Sequence, residues 1–132
     1  MDKDKKNLSF PKSLRLLNAK DYSSVFDDAP IRAAHPQVLI LSRLNSYSTP
    51  RLGLIVSKKN LRLAVSRNRF KRCVRESFRL KQHQLPEIDA IVLARRGADK
   101  LSGDDLSQIL NGLWKRIAKQ AAKHSAQIHK SE

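Results

Sequence analysis

The chain has 132 residues, with 27 Lys/Arg against 12 Asp/Glu, a formal net charge of +15 and a sequence pI of about 10.6. That length bounds one domain with a single core, and the charge goes well beyond what solubility requires. The longest apolar runs, such as residues 52–56 and 90–94, are too short to span a bilayer; no apolar segment follows the charged opening as a secretory signal would; and the single cysteine, Cys73, excludes an internal disulfide, so the expected compartment is the cytoplasm.

Residues 1–8 are polar and lysine-rich, which predicts a disordered basic N-terminus before a domain over 9–122 and a frayed tail over 123–132. Asn18 is placed to cap a short helix over 19–26, on which Tyr22, Val25 and Phe26 share a face. Read from the residues alone that face is core. The alternative is an aromatic platform for an unpaired base, each stacked base being worth about 1–3 kcal/mol. Pro30 and Pro36 make 29–36 a loop or a short edge strand. Residues 37–43 and 51–57 read as strands, and the short connection between them predicts an antiparallel pair. Gly53, inside the second, marks a close approach of backbone or ligand.

Residues 66–79 carry Arg67, Arg69, Arg72, Arg75 and Arg79 with Lys71, against one acid, Glu76. At about 100° per residue, Phe70, Cys73, Val74, Ser77 and Phe78 make an apolar stripe, and Asn68, Arg72, Arg75 and Arg79 gather on the opposite side. Leu63 shares the Phe70 stripe, which puts the helix start near Asn60 or Leu61, with Ser66 as an alternative N-cap; residues 82–86 end it. A solvated helix face normally mixes signs, whereas Arg72, Arg75 and Arg79 stack like charges, at a cost of a few tenths of a kcal/mol per pair. An anionic ligand would remove that cost, and planar guanidinium forks suit phosphate oxygens.

Residues 88–94 are a third strong strand, followed by the basic turn Arg95-Arg96-Gly97. A second amphipathic helix is expected over 104–122, with Ser102 as its N-cap, Asp104 and Asp105 near the positive end of its dipole, and Leu106, Ile109, Leu110, Leu113, Trp114, Ile117 and Ala121 as its core face. The order α-β-β-α-β-α, with a short extra strand near Ile31, predicts an α+β fold: a two-layer α–β sandwich on a small mixed sheet. Its strand–helix–strand unit should be parallel and, by the general rule, right-handed.

The chemistry of a self-sufficient enzyme is missing. His35, His83, His124, His129 and Cys73 lack zinc-ligand spacing, four dispersed glycines make no phosphate loop, and the helix dipole explains Asp104 and Asp105 better than a magnesium site does. Residues 29–86 hold thirteen Lys/Arg against one acid, so the charge sits in the middle of the chain, as for a nucleic-acid-binding domain. The basic helix lacks the broad Trp/Leu face of a membrane-surface helix. A ribosomal or general RNA chaperone and a DNA-binding module with its helix in the major groove are the competing classes, although no apolar seam for an operator-binding dimer is present.

Arg67-Asn68-Arg69, followed by Lys71-Arg72 and Arg75, resembles the RNR signature of the bacterial ribonuclease P protein subunit. Residues 10–26 (FPKSLRLLNAKDYSSVF), 51–60 (RLGLIVSKKN), 88–96 (IDAIVLARR) and the Trp114 helix extend the resemblance over about residues 8–119. It implies the small partner of a catalytic RNA that removes the 5′ leader from precursor tRNA, with Mg2+ held by RNA and substrate, no cofactor held by the protein alone and no catalytic residue in the protein. It implies a left-handed β-α-β crossover, against the general rule. Arg67, Asn68, Arg69, Lys71, Arg72 and Arg75, together with Lys58, would meet the catalytic RNA. Tyr22 and Phe26, with Ser57 and Lys59, would line a cleft for the single-stranded leader. A monomer in solution, one protein per RNA and no membrane partner complete the expectation. Two departures stand out: His35-Pro36-Gln37 replaces a further cleft aromatic, and Cys73 replaces a larger aliphatic residue.

Overall fold

A computed structural model describes residues 14–16, 18–47 and 49–131, with side chains to Ser125; the expected disordered N-terminus, 1–8, lies outside the described residues. Along the chain come α1 (Ala19–Asp27), β1 (Ile31–His35), β2 (Val38–Leu44), β3 (Arg51–Ile55), α2 (Ala64–Lys81), β4 (Ile88–Ala94), a 3-10 turn (Ala98–Lys100) and α3 (Gly103–Ser131). Asn18 caps α1, its Oδ1 accepting the Asp21 N–H at 2.9 Å, and Ser102 caps α3, its Oγ accepting the Asp105 N–H at 3.0 Å. α3 stays helical to Ser131, beyond the Ala122 limit read from sequence, because no glycine or proline follows Gly112 to stop it.

α2 starts later than the expected Asn60 or Leu61, and Ser66 is not its cap. Ala64 is its first residue and Leu63 its N-cap, with no side-chain capping bond. The preceding residues turn instead: the Ser57 carbonyl accepts the N–H groups of Asn60 (3.2 Å) and Leu61 (3.0 Å), and Leu61 drops into the core.

The strand order is β1-β2-β4-β3, with β1–β2 and β2–β4 antiparallel and β3–β4 parallel. The expected β2–β3 hairpin therefore does not form. β4 has six of its seven residues buried and takes the centre, which moves β3 to the edge. On one face of the sheet, Val38, Ile40, Ala90 and Val92 pack with Phe70, Val74 and Phe78 of α2 and Leu110, Trp114 and Ile117 of α3. Ser77, a polar residue in the apolar stripe, accepts the Trp114 indole N–H at 3.0 Å, and the Trp114 and Phe78 rings lie 5.8 Å apart at 60°. On the other face Val25 of α1 covers Leu41 and Ile91 with Leu16 and Ala29.

The hand of the β3–α2–β4 crossover follows from the pairing. Ile88, Ala90, Val92 and Ala94 face the α2–α3 core, while the flanking odd positions bond toward β2: Asn45 N–H to Glu87 O and Arg95 N–H to Gln37 O, both 2.9 Å. The even positions therefore bond toward β3. For an L-residue viewed from its side-chain side with the strand running upward, its own N–H and C=O point right. Seen from α2, β3 thus lies to the right of β4, and the chain crosses in front of the sheet from right to left. The crossover is left-handed, as the resemblance implied and against the general rule.

Both sheet edges are closed. Gln120 of α3 donates to Arg32 O (2.7 Å) and accepts the Arg32 N–H (3.1 Å), and Arg116 donates to Ala34 O (3.2 Å), so α3 side chains finish the β1 edge. On the β3 edge, Leu16 N–H bonds Leu52 O at 2.9 Å and the Tyr22 hydroxyl accepts the Leu54 N–H at 3.2 Å.

Candidate nucleic-acid interface

The stripe of Phe70, Val74, Ser77 and Phe78 is buried, and Cys73 is half-buried beside it, so α2 must turn its opposite side to solvent. That side is a shallow groove of about 450 Å³ lined by Asn68, Lys71, Arg72, Arg75, Glu76 and Arg79. Among the described residues, Asn68, Lys71, Arg72 and Arg75 make no side-chain hydrogen bond or ion pair. Glu76 is paired with Arg79, whose hydrogen bond holds the carboxyl below the usual glutamate range and raises the guanidinium pKa in turn.

The structure separates two arginines from this groove. Arg67 donates to the carbonyls of Leu61 and Arg62, both at 2.9 Å, and so ties down the loop entering α2. Arg69 reaches the other flank, toward Asp99 O (3.4 Å) and Leu101 O (3.5 Å) before α3. Ser57, Lys58 and Lys59 are exposed on the turn after β3, which Asn60 anchors by donating to Ala94 O at 2.9 Å. Lys58 and Lys59 are not among the residues that line the groove.

Strand pairing puts three rows across the face under α1. Leu41, Ile91 and Gly53 form the central row, buried beneath α1. Leu39, Leu93 and Ile55 form the next, half-buried and apolar, toward the Ser57–Lys59 end. Tyr22, half-buried, packs like these three against the core of Leu16, Val25, Ala29, Leu41 and Ile91, and Phe26 is 46% exposed. Gly53 is required here, since a Cβ would lie 2.8 Å from the Tyr22 ring and 2.9 Å from Leu16. A second groove, about 170 Å³, joins the two regions: Arg15, Leu16, Tyr22, Leu52 and Leu54 line it together with Lys71 and Arg75. Lys71 and Arg75 therefore border both grooves. The aliphatic row and Arg15 were missed by the sequence reading; the signal available was the strand alternation, which fixes faces only once the pairing is known.

The third row, Arg43, Asp89 and Arg51, is polar. Arg51 grips Asp89 with two bonds, Nε to Oδ1 at 2.8 Å and a terminal nitrogen to Oδ2 at 2.7 Å, and stacks 4.0 Å over the Tyr47 ring. That carboxylate holds the Arg51 pKa above its ordinary value.

A guanidinium-rich groove on the outer side of a rigid helix, joined to a half-buried aromatic cleft in an α+β sandwich, defines an RNA-binding protein. The sequence matches the family model described as Ribonuclease P over residues 10–118. It is 58% identical over 118 residues to the ribonuclease P protein component of Saccharophagus degradans, covering 89% of this chain and 87% of the relative, and 50% identical over 114 residues to that of Escherichia coli, covering 86% and 95%. The ribonuclease P protein of Staphylococcus aureus superposes with a TM-score of 0.72 at 28% identity, over 77% of this chain and 93% of that one; the Thermotoga maritima protein gives 0.69 at 29%, over 78% and 96%. The chain belongs to the ribonuclease P protein family.

Proposed function

We propose that this chain is the RNA-binding subunit of ribonuclease P: the α2 groove docks on the catalytic RNA, and the α1 cleft holds the single-stranded 5′ leader of precursor tRNA. The observation that carries this reading is the groove of Asn68, Lys71, Arg72 and Arg75, unpaired among the described residues and continuous through Lys71 and Arg75 with the Tyr22 cleft. Arginine forks neutralise and orient phosphates, and stacking on Tyr22 and Phe26 holds unpaired bases without strict sequence readout. The described residues gather no three His, Cys, Asp or Glu side chains as metal ligands. Under this reading the RNA and substrate bind Mg2+ and carry out phosphodiester hydrolysis, and the protein lowers the repulsion between two polyanions. Lys58, Ser57 and Lys59 join as phosphate contacts from the turn after β3, and Arg67 and Arg69 hold the loops that frame the groove.

The test is cleavage of precursor tRNA by the cognate catalytic RNA at low Mg2+, with and without the protein; no stimulation by the protein would overturn the reading, and so would cleavage by the protein in the absence of that RNA. In the same system Tyr22→Ala should weaken precursor tRNA binding about 5- to 150-fold, matching about 1–3 kcal/mol of stacking, with little change for leaderless mature tRNA. Equal losses on both substrates would remove the leader cleft.

Glu76 damps the groove, and its lowered pKa keeps it charged throughout the neutral range. Glu76→Gln is expected to tighten catalytic-RNA binding a few-fold at low salt, with the gain vanishing near 1 M salt, where the Debye length is about 3 Å. A titration at both salt concentrations checks this, and a gain that survives high salt would contradict it.

A further inference from the structure

α3 carries a second cationic surface that the docking of α2 does not use. Between Leu106 and Ser131 the chain has Lys115, Arg116, Lys119, Lys123 and Lys130 and no acid. Lys115, Lys119 and Lys123 are exposed and follow one another at i, i+4 and i+8, in axial steps of about 6 Å. Each like-charged neighbour disfavours the helix, and no residue three or four positions away is an acid able to relieve it. Among the described residues none of the three makes a side-chain hydrogen bond or ion pair, whereas Arg116 is occupied at Ala34 O. An ordinary solvated helix face would interleave signs.

Among the described residues of α3 the row's exposed neighbours are Gln108, Asn111, Gly112 and Ala122, none of them a large apolar side chain such as a membrane-surface helix would insert. The row lies on the helix packed beside the one that carries the first surface. α2 and α3 lie side by side on one face of the sheet, and a cleft between them is lined by both Lys81 of α2 and Lys115 of α3. Lysines act as point charges on flexible stems, suited to tracking a phosphate backbone more than to reading bases.

We infer that Lys115, Lys119 and Lys123 form a second phosphate-binding track, on which the RNA docked at the α2 groove continues across the helix pair. This rests on the docking of α2 proposed above. The experiment uses the full chain with Lys115→Gln, Lys119→Gln and Lys123→Gln combined, titrated with the cognate catalytic RNA over a range of salt concentrations. Arg72→Ala/Arg75→Ala serves as the parallel arm. The triple variant should lower the slope of log K against log salt by about 2–3 and weaken binding at least tenfold at low salt. In the unaltered protein, bound RNA should protect the three lysines from an acetylating reagent several-fold.

An unchanged slope in the triple variant, with a reduced one in the arginine variant, overturns the α3 track and leaves α2 docking in place. Unchanged slopes in both overturn both. A reduced slope without lysine protection means that the charges act at a distance, which also sinks the track. So does a loss confined to phosphatidylglycerol vesicles, which would point to a membrane instead.

Discussion

Replacing Arg72 and Arg75 together by alanine is expected to weaken binding of the catalytic RNA by about 10²- to 10⁴-fold while leaving the thermal unfolding midpoint nearly unchanged. A hydrogen bond to a charged group is worth about 1.5–3 kcal/mol, and tenfold in affinity is about 1.4 kcal/mol, so two phosphate contacts reach that range. Both side chains are exposed, and neither makes a side-chain hydrogen bond or ion pair among the described residues, so their loss removes no support from the fold. The salt dependence supplies the diagnostic: the log–log slope should fall by about 1.4–1.8. Arg67→Ala provides the contrast. Its guanidinium serves the Leu61 and Arg62 carbonyls, so the variant should lose stability, by about 1–3 kcal/mol for two acceptors left without their donor, and lose RNA affinity mainly through a displaced α2 entrance. Binding titrations and urea unfolding of the two variants would separate the classes. An arginine pair whose loss unfolds the protein, or leaves the slope untouched, would contradict the groove as the docking surface.

Those two kinds of arginine are indistinguishable in the sequence, which shows how far it could be read. The two faces of α2 were legible because an 18-residue helix repeats its pattern often enough to sort Phe70, Val74 and Phe78 from Arg72 and Arg75. The caps Asn18 and Ser102 were legible because each acts on a backbone N–H three residues away. Whether a guanidinium reaches outward or back to loop carbonyls depends on the path of residues 57–63, which periodicity does not describe. The β2–β3 hairpin expectation failed for a related reason. A short connection favours neighbouring strands, but β4 buries side chains on both faces and displaced β3 from β2, an outcome set by which strand best tolerates the edge. The left-handed crossover came only from family resemblance. Tyr22 lay between core and site in the sequence, and it serves both: its ring packs on Gly53, and its hydroxyl closes the β3 edge.

The interaction least visible in the sequence should have the largest effect on stability. Arg51 and Asp89 are 38 residues apart, on β3 and β4, and their side chains are only 12% and 9% exposed. Asp89 also accepts the Asn45 amide at 2.9 Å; that same Asn45 donates its backbone N–H to Glu87 O and its amide to Thr49 O, fixing the β2–β3 connection. Arg51 reaches Asp21 of α1 at 3.5 Å as well. One carboxylate thus secures the edge strand, a loop and, through Arg51, the first turn of α1. Asp89→Ala leaves a mostly buried guanidinium with Asp21 as its remaining charged partner, and should cost about 3–5 kcal/mol of the 5–15 kcal/mol typical of a domain. Asp89→Asn keeps the shape and an acceptor and should cost less. Because much of the penalty is an orphaned charge, Arg51→Met/Asp89→Leu should recover most of the loss, and the double-mutant cycle should show strong coupling. The readout is the urea midpoint at constant m-value. Additive losses in the double variant would mean that the two residues act separately. Since β3 also carries Gly53 and Leu54, against which Tyr22 is seated, Asp89→Ala should release precursor tRNA leader binding at urea concentrations below those that unfold the α2–α3 core; simultaneous loss would show that the edge strand and the core unfold as one unit.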